Sequence, residues 1–417
     1  MAELSARRAA LVALRAWRTE KRFADSIISK LLVATKLPAA DRAFALKLFY
    51  GVLRNLTLLD FWIHYLRPTR VDVDLRDILR LGLYQLFILE TSEHAAVYET
   101  VELARKKHRS LINGILRTAS RRKDQLREQA NAQPLDIRTS HPKFLVARWQ
   151  KNFGREATEA LCVWNNQPPP VYARINRLKI DTEIFLRTYP ESRPLLHNPD
   201  FVELDIFPFE ALGRGHCYIQ DPSTVVACQL LDPRPGERIL DTCAAPGGKT
   251  SYLAELMENR GLILACDREP KRVRMIEENL ARLNVGIART FRYDWAGGRI
   301  PSELTPTDPF DRVLIDAPCS NTGVMRRRVD VRWRLTPADF PRLQKRQIEI
   351  FRVVASLLKA GGVLVYSTCS LEPEENEEAV HQVLTNLSMW RLEQQEHWFP
   401  FRDNFDGVFA AKLVKSG

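Results

Sequence analysis

The chain has 417 residues but only eight histidines, and its seven cysteines include no CxxC pair. No spacing of Cys and His suits zinc, so a metal centre is not expected. The scattered thiols argue against a disulfide framework and for a reducing compartment. No apolar run reaches the roughly 20 residues of a membrane span. The first such stretch, Leu11 to Trp17, is broken by Arg15 and followed by Arg18, which also argues against a signal sequence. There is no long internal repeat and no low-complexity tract. The GxGxxG of dinucleotide sites and the GxxxxGK[ST] of phosphate-binding loops are both missing. A soluble, cytoplasmic protein with no membrane partner is expected.

What is present is an uneven charge. The net value is +11, yet residues 1–130 hold 24 Lys+Arg against 14 Asp+Glu and the remainder 38 against 37. A basic region confined to one end fits a polyanionic partner, because phosphate contacts release counterions and give affinity without reading sequence. A well-solvated helical surface has the same composition.

At about 100 to 200 residues per domain, the length suggests two to four domains. From Ala6 to Arg122 apolar residues recur at helical spacing, as in Leu11 and Leu14, Val97, Val101 and Ala104, and Ile112, Ile115 and Leu116. An all-α bundle over 1–130 is expected. The polar stretch Arg121 to Pro142, with two prolines, reads as a linker. "NNQPPPVYARINRLKI" (Asn165 to Ile180) then opens with three prolines and continues as a strand carrying Arg174, Arg177 and Lys179. A small mixed α+β module is expected over 143–212.

After Gly213, short apolar strands alternate with helical stretches, the pattern of a parallel sheet with crossover helices. The expected strands are "ERILD", "GLILACD", "ARTFRYD", "DRVLIDAP", "GGVLVYSTC" and "GVFAAKLV". Ligands of open α/β sheets bind beyond the carboxyl ends of strands. The residues there are Asp241, Asp267, Asp294, Asp316 and Cys369. After the first comes "CAAPGGKT", in which Pro246 fixes a turn and Gly247-Gly248 lets backbone approach a ligand before a helix begins. Asp267 suits ribose hydroxyls and Asp294 an adenine amino group. Each aspartate alone reads equally as a turn or helix cap; four at successive strand ends favour a nucleotide-like ligand, which spacing does not name.

Two cysteines lie at that same edge, Cys319 in "DAPCSNTGV" and Cys369 in "YSTCS". Cys162, Cys217, Cys228 and Cys266 read as small buried hydrophobes; Cys243 is less easily placed. With metal binding and a disulfide disfavoured, covalent chemistry remains for the pair. A thiolate adding to C6 of cytosine makes C5 enamine-like, so that it accepts an electrophilic methyl; loss of the C5 proton and of the thiolate then needs a base. One thiol would attack and the other assist breakdown, and chemistry alone does not say which.

"DTCAAPGGKT", "DAPCSNTGVMRRRVDVRW" and "YSTCSLEPEENE" together resemble the Nol1/Nop2/Sun family of RNA cytosine-C5 methyltransferases. Residues 1–130 resemble the NusB-type helical RNA-binding domain through "HAAVYETVELAR" and "SLINGILR". "SHPKFLVARW", "YIQDPST" and "FDGVFAAKL" extend the likeness over nearly the whole chain, toward the bacterial Sun-type branch that acts on 16S ribosomal RNA.

The resemblance implies S-adenosylmethionine as cofactor, bound by Cys243, Ala244, Ala245, Pro246, Gly247, Gly248, Lys249, Asp267, Asp294 and Asp316. It implies Cys369 as nucleophile and Cys319 as the thiol that aids product release, with Lys249 and Asp316 near the base. A Rossmann-like methyltransferase domain over 213–417 follows. So does small-subunit ribosomal RNA as partner, with no DNA, and a monomer is expected. "MRRR" (Met325 to Arg328) is a candidate phosphate contact, or else a solvated loop. Asn321 and Val329 stand where the family commonly has glycine and proline, which bears on loop shape. The rival readings are a methyltransferase of another RNA, a DNA methyltransferase in which Cys319 attacks, and an inactive ribosome-assembly or transcription factor.

Overall fold

The computed structural model describes residues 4–416 apart from 197, 298, 302–303, 305–308 and 387–388. Packing divides the chain into two compact units, residues 1–167 with 325–335, and residues 168–324 with 336–417. Among the described residues no helix is long and apolar enough to cross a membrane.

The first unit is helical. Its opening helix, Ala6–Thr19, is capped by Ser5, whose hydroxyl accepts from Arg8 N. The helix then buries Ala9, Ala10, Leu11, Ala13 and Leu14 along one stripe. Helix Val73–Phe87 is buried on nearly every side, so its polar residues need partners. Arg80 supplies them, donating in a fork to Asp60 at 2.8 and 2.7 Å and to Asp77 at 2.8 Å. Gly51 lets this helix approach Ala39–Arg54, because a Cβ there would overlap the Tyr84 ring.

The stretch Arg121 to Pro142, expected as a linker, instead carries helices Lys123–Asn131 and Leu135–Arg138. The first buries only Leu126 and Ala130, too few apolar positions to set a period. Helices Lys143–Phe153 and Arg155–Asn166 lie in this unit by packing.

Residues 325–335 belong to the helical unit although both flanks belong to the other. Val329 joins the helical core. Asp330 Oδ2 accepts from Trp17 Nε1 at 3.2 Å, Ala24 N at 2.9 Å and Arg334 Nε at 3.0 Å. Arg332 is fully buried and donates to Ser140 O, Asn165 O and Asn166 Oδ1 at 3.2, 3.1 and 2.8 Å. Of the "MRRR" run, Met325 and Arg326 are buried, and the Arg326 guanidinium lies 4.1 Å from the Trp164 ring centroid. Those two positions therefore pack inward, and only Arg328 of the run is fully exposed.

The second unit contains two sheets. The smaller is antiparallel, with strands β1 (Val171–Ile175), β2 (Ser192–Leu195), β3 (Asn198–Leu204) and β4 (Cys217–Ile219) in the order β2-β3-β1-β4. Arg174 on β1 is fully buried; it donates to Gln220 Oε1 and Ser251 Oγ at 3.0 and 2.7 Å, pairs with Glu255 and lies over the Tyr252 ring. Arg177 pairs with Asp200, and Lys179 donates to Arg214 O.

The larger sheet comprises β5 (Arg238–Asp241), β6 (Leu262–Asp267), β7 (Ala288–Arg292), β8 (Phe310–Asp316), β9 (Leu358–Thr368), β10 (Trp390–Trp398) and β11 (Val408–Lys415). Their order is β10-β11-β9-β8-β5-β6-β7. Strands β5 to β9 are parallel, and β11 and β10 are antiparallel additions. The fold is Rossmann-like, and strand order reverses between β5 and β8, where such sheets open a crevice for ligands.

His141 in the helical unit generates a test. It is buried; its Nδ1–H donates to Thr139 O at 2.9 Å and its Nε2 faces Asn165 Nδ2 at 3.4 Å. Burial, and then the Arg332 charge, hold its pKa well below 6.5. The unfolded chain therefore binds a proton below about pH 6.5 that the native state refuses, so stability is present above that pH and falls as pH drops. The slope is up to about 1.4 kcal/mol per pH unit from this group. Thermal melts between about pH 7.5 and 5.5 are expected to show a shallower loss of Tm in His141→Gln than in the native chain; equal slopes would remove His141 as the cause.

Candidate active site

Strands β8 and β9 are adjacent and parallel, with Asp316 opposite Ser367. Whatever follows those two residues must emerge side by side. Cys319 and Cys369 do, and their sulfurs lie 3.2 Å apart. The two loops are tied by Ala317 N to Ser367 O at 2.8 Å, Gly323 N to Cys369 O at 3.0 Å and Leu371 N to Thr322 Oγ1 at 2.9 Å. Gly323 is required by close approach: a Cβ there would meet Gly407 O at 2.7 Å and Cys369 O at 2.9 Å.

Asn321 adopts φ +60°, in the left-handed region that asparagine tolerates. Its Nδ2 donates to Cys319 O at 2.8 Å, which fixes the amide orientation and turns Oδ1 toward Cys369 Sγ at 3.3 Å. Sequence reading marked Asn321 only as a departure from a motif; its contact with a thiol comes from the turn.

The first crossover carries the second cluster. Between β5 and helix Gly248–Leu256, Gly247 takes φ +104°. A Cβ on Gly248 would come within 2.7 Å of the Tyr218 ring. Outward carbonyls of the loop are occupied by helix Pro270–Arg282, through Arg272 to Ala245 O at 3.0 Å and Asn279 to Pro246 O at 2.9 Å. Lys249, in the first turn, donates through Nζ to Asp316 Oδ2 at 2.7 Å. Burial, the largest single cause, would favour loss of its proton, but the charge and hydrogen bond of Asp316 together with the neighbouring Cys228 and Cys369 hold the ammonium above its ordinary pKa.

Asp241 is buried, accepts from Thr250 Oγ1 at 2.7 Å, and is pushed up to about 7 by desolvation. Asp267 is buried at the end of β6; Oδ1 accepts from Glu269 N at 3.0 Å and Oδ2 faces Arg272 Nε at 3.3 Å. Asp294, two residues past β7, accepts from Ala296 N and from Arg346. Both thus serve as turn caps while remaining at the strand ends.

The thiols sort by environment. Cys162, Cys217, Cys228 and Cys266 are buried, whereas Cys243, Cys319 and Cys369 are part-exposed. Desolvation pushes Cys162 up to about 11 and Cys217, Cys228 and Cys243 up to about 12. Cys319 is raised well above its ordinary value first by its hydrogen bond with Cys369 and then by burial. One member of the pair is held as a thiol by the other.

The donor set suits an adenosyl ligand carrying a sulfonium. It offers a backbone turn at a helix start and three carboxylates beyond successive strands, Asp267 ending β6, Asp294 just past β7 and Asp316 ending β8. Among the described residues no group of His, Cys, Asp and Glu is placed to hold a metal ion.

Three family models match. Residues 228–414 match the 16S rRNA methyltransferase RsmB/F model, 4–121 the NusB family, and 141–191 the ferredoxin-like domain of RsmF/B-like methyltransferases. Ribosomal RNA small subunit methyltransferase B of Escherichia coli O1:K1 is 37% identical over 402 residues, covering 91% of this chain and 92% of the relative. The probable ribosomal RNA small subunit methyltransferase B of Bacillus subtilis strain 168 is 33% identical, covering 91% and 88%. A crystal structure of a methyltransferase homologue from Pyrococcus horikoshii is 31% identical with a TM-score of 0.59, covering 67% of this chain and 97% of that one.

Under limiting iodoacetamide, Cys319 and Cys369 are expected to take up label while Cys162, Cys217, Cys228 and Cys266 stay protected. Modification of one sulfur should block the other at 3.2 Å. Peptide mass spectrometry reads this directly, and frequent double labelling would mean the two thiols are not neighbours in solution.

Proposed function

This chain belongs to the RsmB/F family of 16S rRNA methyltransferases, and from that premise we propose that it methylates C5 of one cytosine in 16S ribosomal RNA through a transient bond between Cys369 Sγ and ring C6. The observation that carries the reading is the pair of sulfurs 3.2 Å apart, beside the Lys249–Asp316 ion pair at the switch point of the sheet. The Cys243 to Lys249 turn with Asp267, Asp294 and Asp316 would hold S-adenosylmethionine, which would supply an electrophilic methyl group when bound.

The chain's residues do the rest. The Cys369 thiolate adds to C6, and the electron pair displaced into the ring makes C5 nucleophilic. Asp316, oriented by its hydrogen bond from Lys249, faces the polar edge of the base, and the Lys249 ammonium offsets the negative charge that builds on the ring. Once C5 carries the methyl group it still holds its proton. Cys319 hands its own proton to the departing Cys369 sulfur and takes the C5 proton in exchange, so that the C6–S bond breaks and C5=C6 reforms. A neutral Cys319 beside Cys369 suits that exchange.

Access to C6 requires an unstacked base, at roughly a few kcal/mol for a paired one, which favours a single-stranded or loop target. The basic helical unit supplies phosphate contacts, and Lys21, Lys30 and Lys36 are exposed on it.

Two variants assign the roles. With radiolabelled S-adenosylmethionine and ribosomal RNA, Cys369→Ala is expected to lose methylation by at least about 1,000-fold. Cys319→Ala is expected to permit attack and accumulate a protein–RNA adduct that survives denaturation. An adduct with Cys369→Ala instead, or labelling of DNA in preference to RNA, would reverse the assignment; undiminished methylation with both thiols replaced would end the covalent reading.

A further inference from the structure

Glu375 is fully buried, and its carboxylate lies where the two cysteine loops meet. Oε1 accepts from Ser320 N at 2.9 Å and from Gln347 Nε2 at 3.0 Å. Oε2 accepts from Ser320 Oγ at 2.5 Å and from Ser370 Oγ at 2.6 Å. Ser320 follows Cys319 and Ser370 follows Cys369. A single side chain therefore grips the residue next to each thiol.

The grip is itself anchored. Glu375 O accepts from Tyr366 OH on β9 at 2.6 Å, and Glu375 N donates to Glu372 O at 3.1 Å. Gln347, on helix Asp339–Val354, also donates to Pro318 O at 3.1 Å, immediately before Cys319. Asn376 completes the web, accepting from Thr368 Oγ1 at 2.5 Å and donating to Ser370 O at 2.9 Å.

We infer that Glu375 is a positioning residue that sets the separation of Cys319 and Cys369, an assignment that rests on the two-thiol reading above. The chemistry of the site asks for a carboxylate. Four donors converge on two oxygens, and an ionised carboxylate accepts all of them while presenting no hydrogen of its own. An amide would aim an N–H2 at the two hydroxyls, which must then turn round and abandon the arrangement that holds them. Burial pushes the Glu375 carboxyl upward, and hydrogen bonds from Ser320 and Ser370 oppose that rise. With no exposure, Glu375 acts on the reaction only through the loops that it joins.

The test reads sulfur geometry apart from methylation. Diamide closes two neighbouring thiols into a disulfide, taking two electrons and two protons from them. In the full-length native protein, without RNA or cofactor, closure of Cys319 with Cys369 is expected to be fast. In Glu375→Gln, folded by thermal melt, closure should slow by about 10- to 100-fold, the range for an ångström-scale misplacement. Methylation should show kcat lower by a similar factor with KM for RNA within about twofold, a split that general loosening of the fold would not give. Should Glu375→Gln fail to fold, Ser320→Ala removes one hydroxyl grip while leaving the Ser320 N contact, and a smaller slowing is expected. Closure at the native rate in either folded variant overturns the inference. Slowed closure together with full methylation by Cys369→Ala would instead overturn the two-thiol reaction and leave the positioning role standing.

Discussion

The site depends on the parallel pairing of β8 with β9. Neighbouring strands lie about 4.8 Å apart, so two chains leaving the same edge in the same direction begin their loops within side-chain reach. Register decides the rest: with Asp316 opposite Ser367, the third residue beyond one strand partner and the second beyond the other carry the thiols. A slip of one residue would turn every side chain to the opposite face of the sheet and separate the sulfurs. Apolar packing pins that register, since Val313, Ile315, Leu364 and Tyr366 are buried in one core cluster and Leu314 and Val365 in another. The geometry of the sulfur pair is thus inherited from the core.

Desolvation then sorts seven chemically identical thiols into distinct behaviours. Four are buried, and Cys243, part-exposed in the turn after β5, is pushed up to about 12. Cys319 is held neutral by its partner sulfur more than by burial. Lys249 shows the opposite balance, because its charge and hydrogen bond with Asp316 at 2.7 Å, together with the nearby Cys228 and Cys369, outweigh the cost of burying an ammonium. A neutral Cys319 thus lies at the same edge of the sheet as the Lys249–Asp316 ion pair.

Much of this was legible in the sequence for a physical reason. A parallel strand covered on both faces is a near-continuous apolar run, and the acidic or thiol residue that ends it marks where backbone reaches solvent. β5, β6, β8 and β9 stood out in that way, together with their terminal residues. β10 did not, because it is an edge strand whose residues Arg391 to Gln395 are all exposed and read as loop. Helix Lys123–Asn131 was hidden for a similar reason. Glu375 was invisible within "EPEENEE", where six neighbouring residues include four other acids, and only the converging donors distinguish it. The role of Asn321 was equally closed to sequence reading, since its amide orientation follows from the Cys319 carbonyl and from nothing in the local pattern.

Least legible was the excursion of residues 325–335. Its composition, with five arginines, suggests a solvated or phosphate-binding loop, yet Val329 joins the helical core and Arg332 is buried against carbonyl oxygens. Burying a guanidinium on carbonyls alone is costly, and its pKa falls to about 9 in consequence. Such a cost persists only where the surrounding packing demands it. The demand here comes from within the helical unit, where Val329 fills the apolar core and Asp330 Oδ2 accepts from Trp17 Nε1 and Ala24 N. The Cys319 loop is held within its own unit, by β8 at its start and by the Ala317 N, Gly323 N and Leu371 N bonds that join it to the Cys369 loop, and a loop so tied has little entropy left to lose on binding.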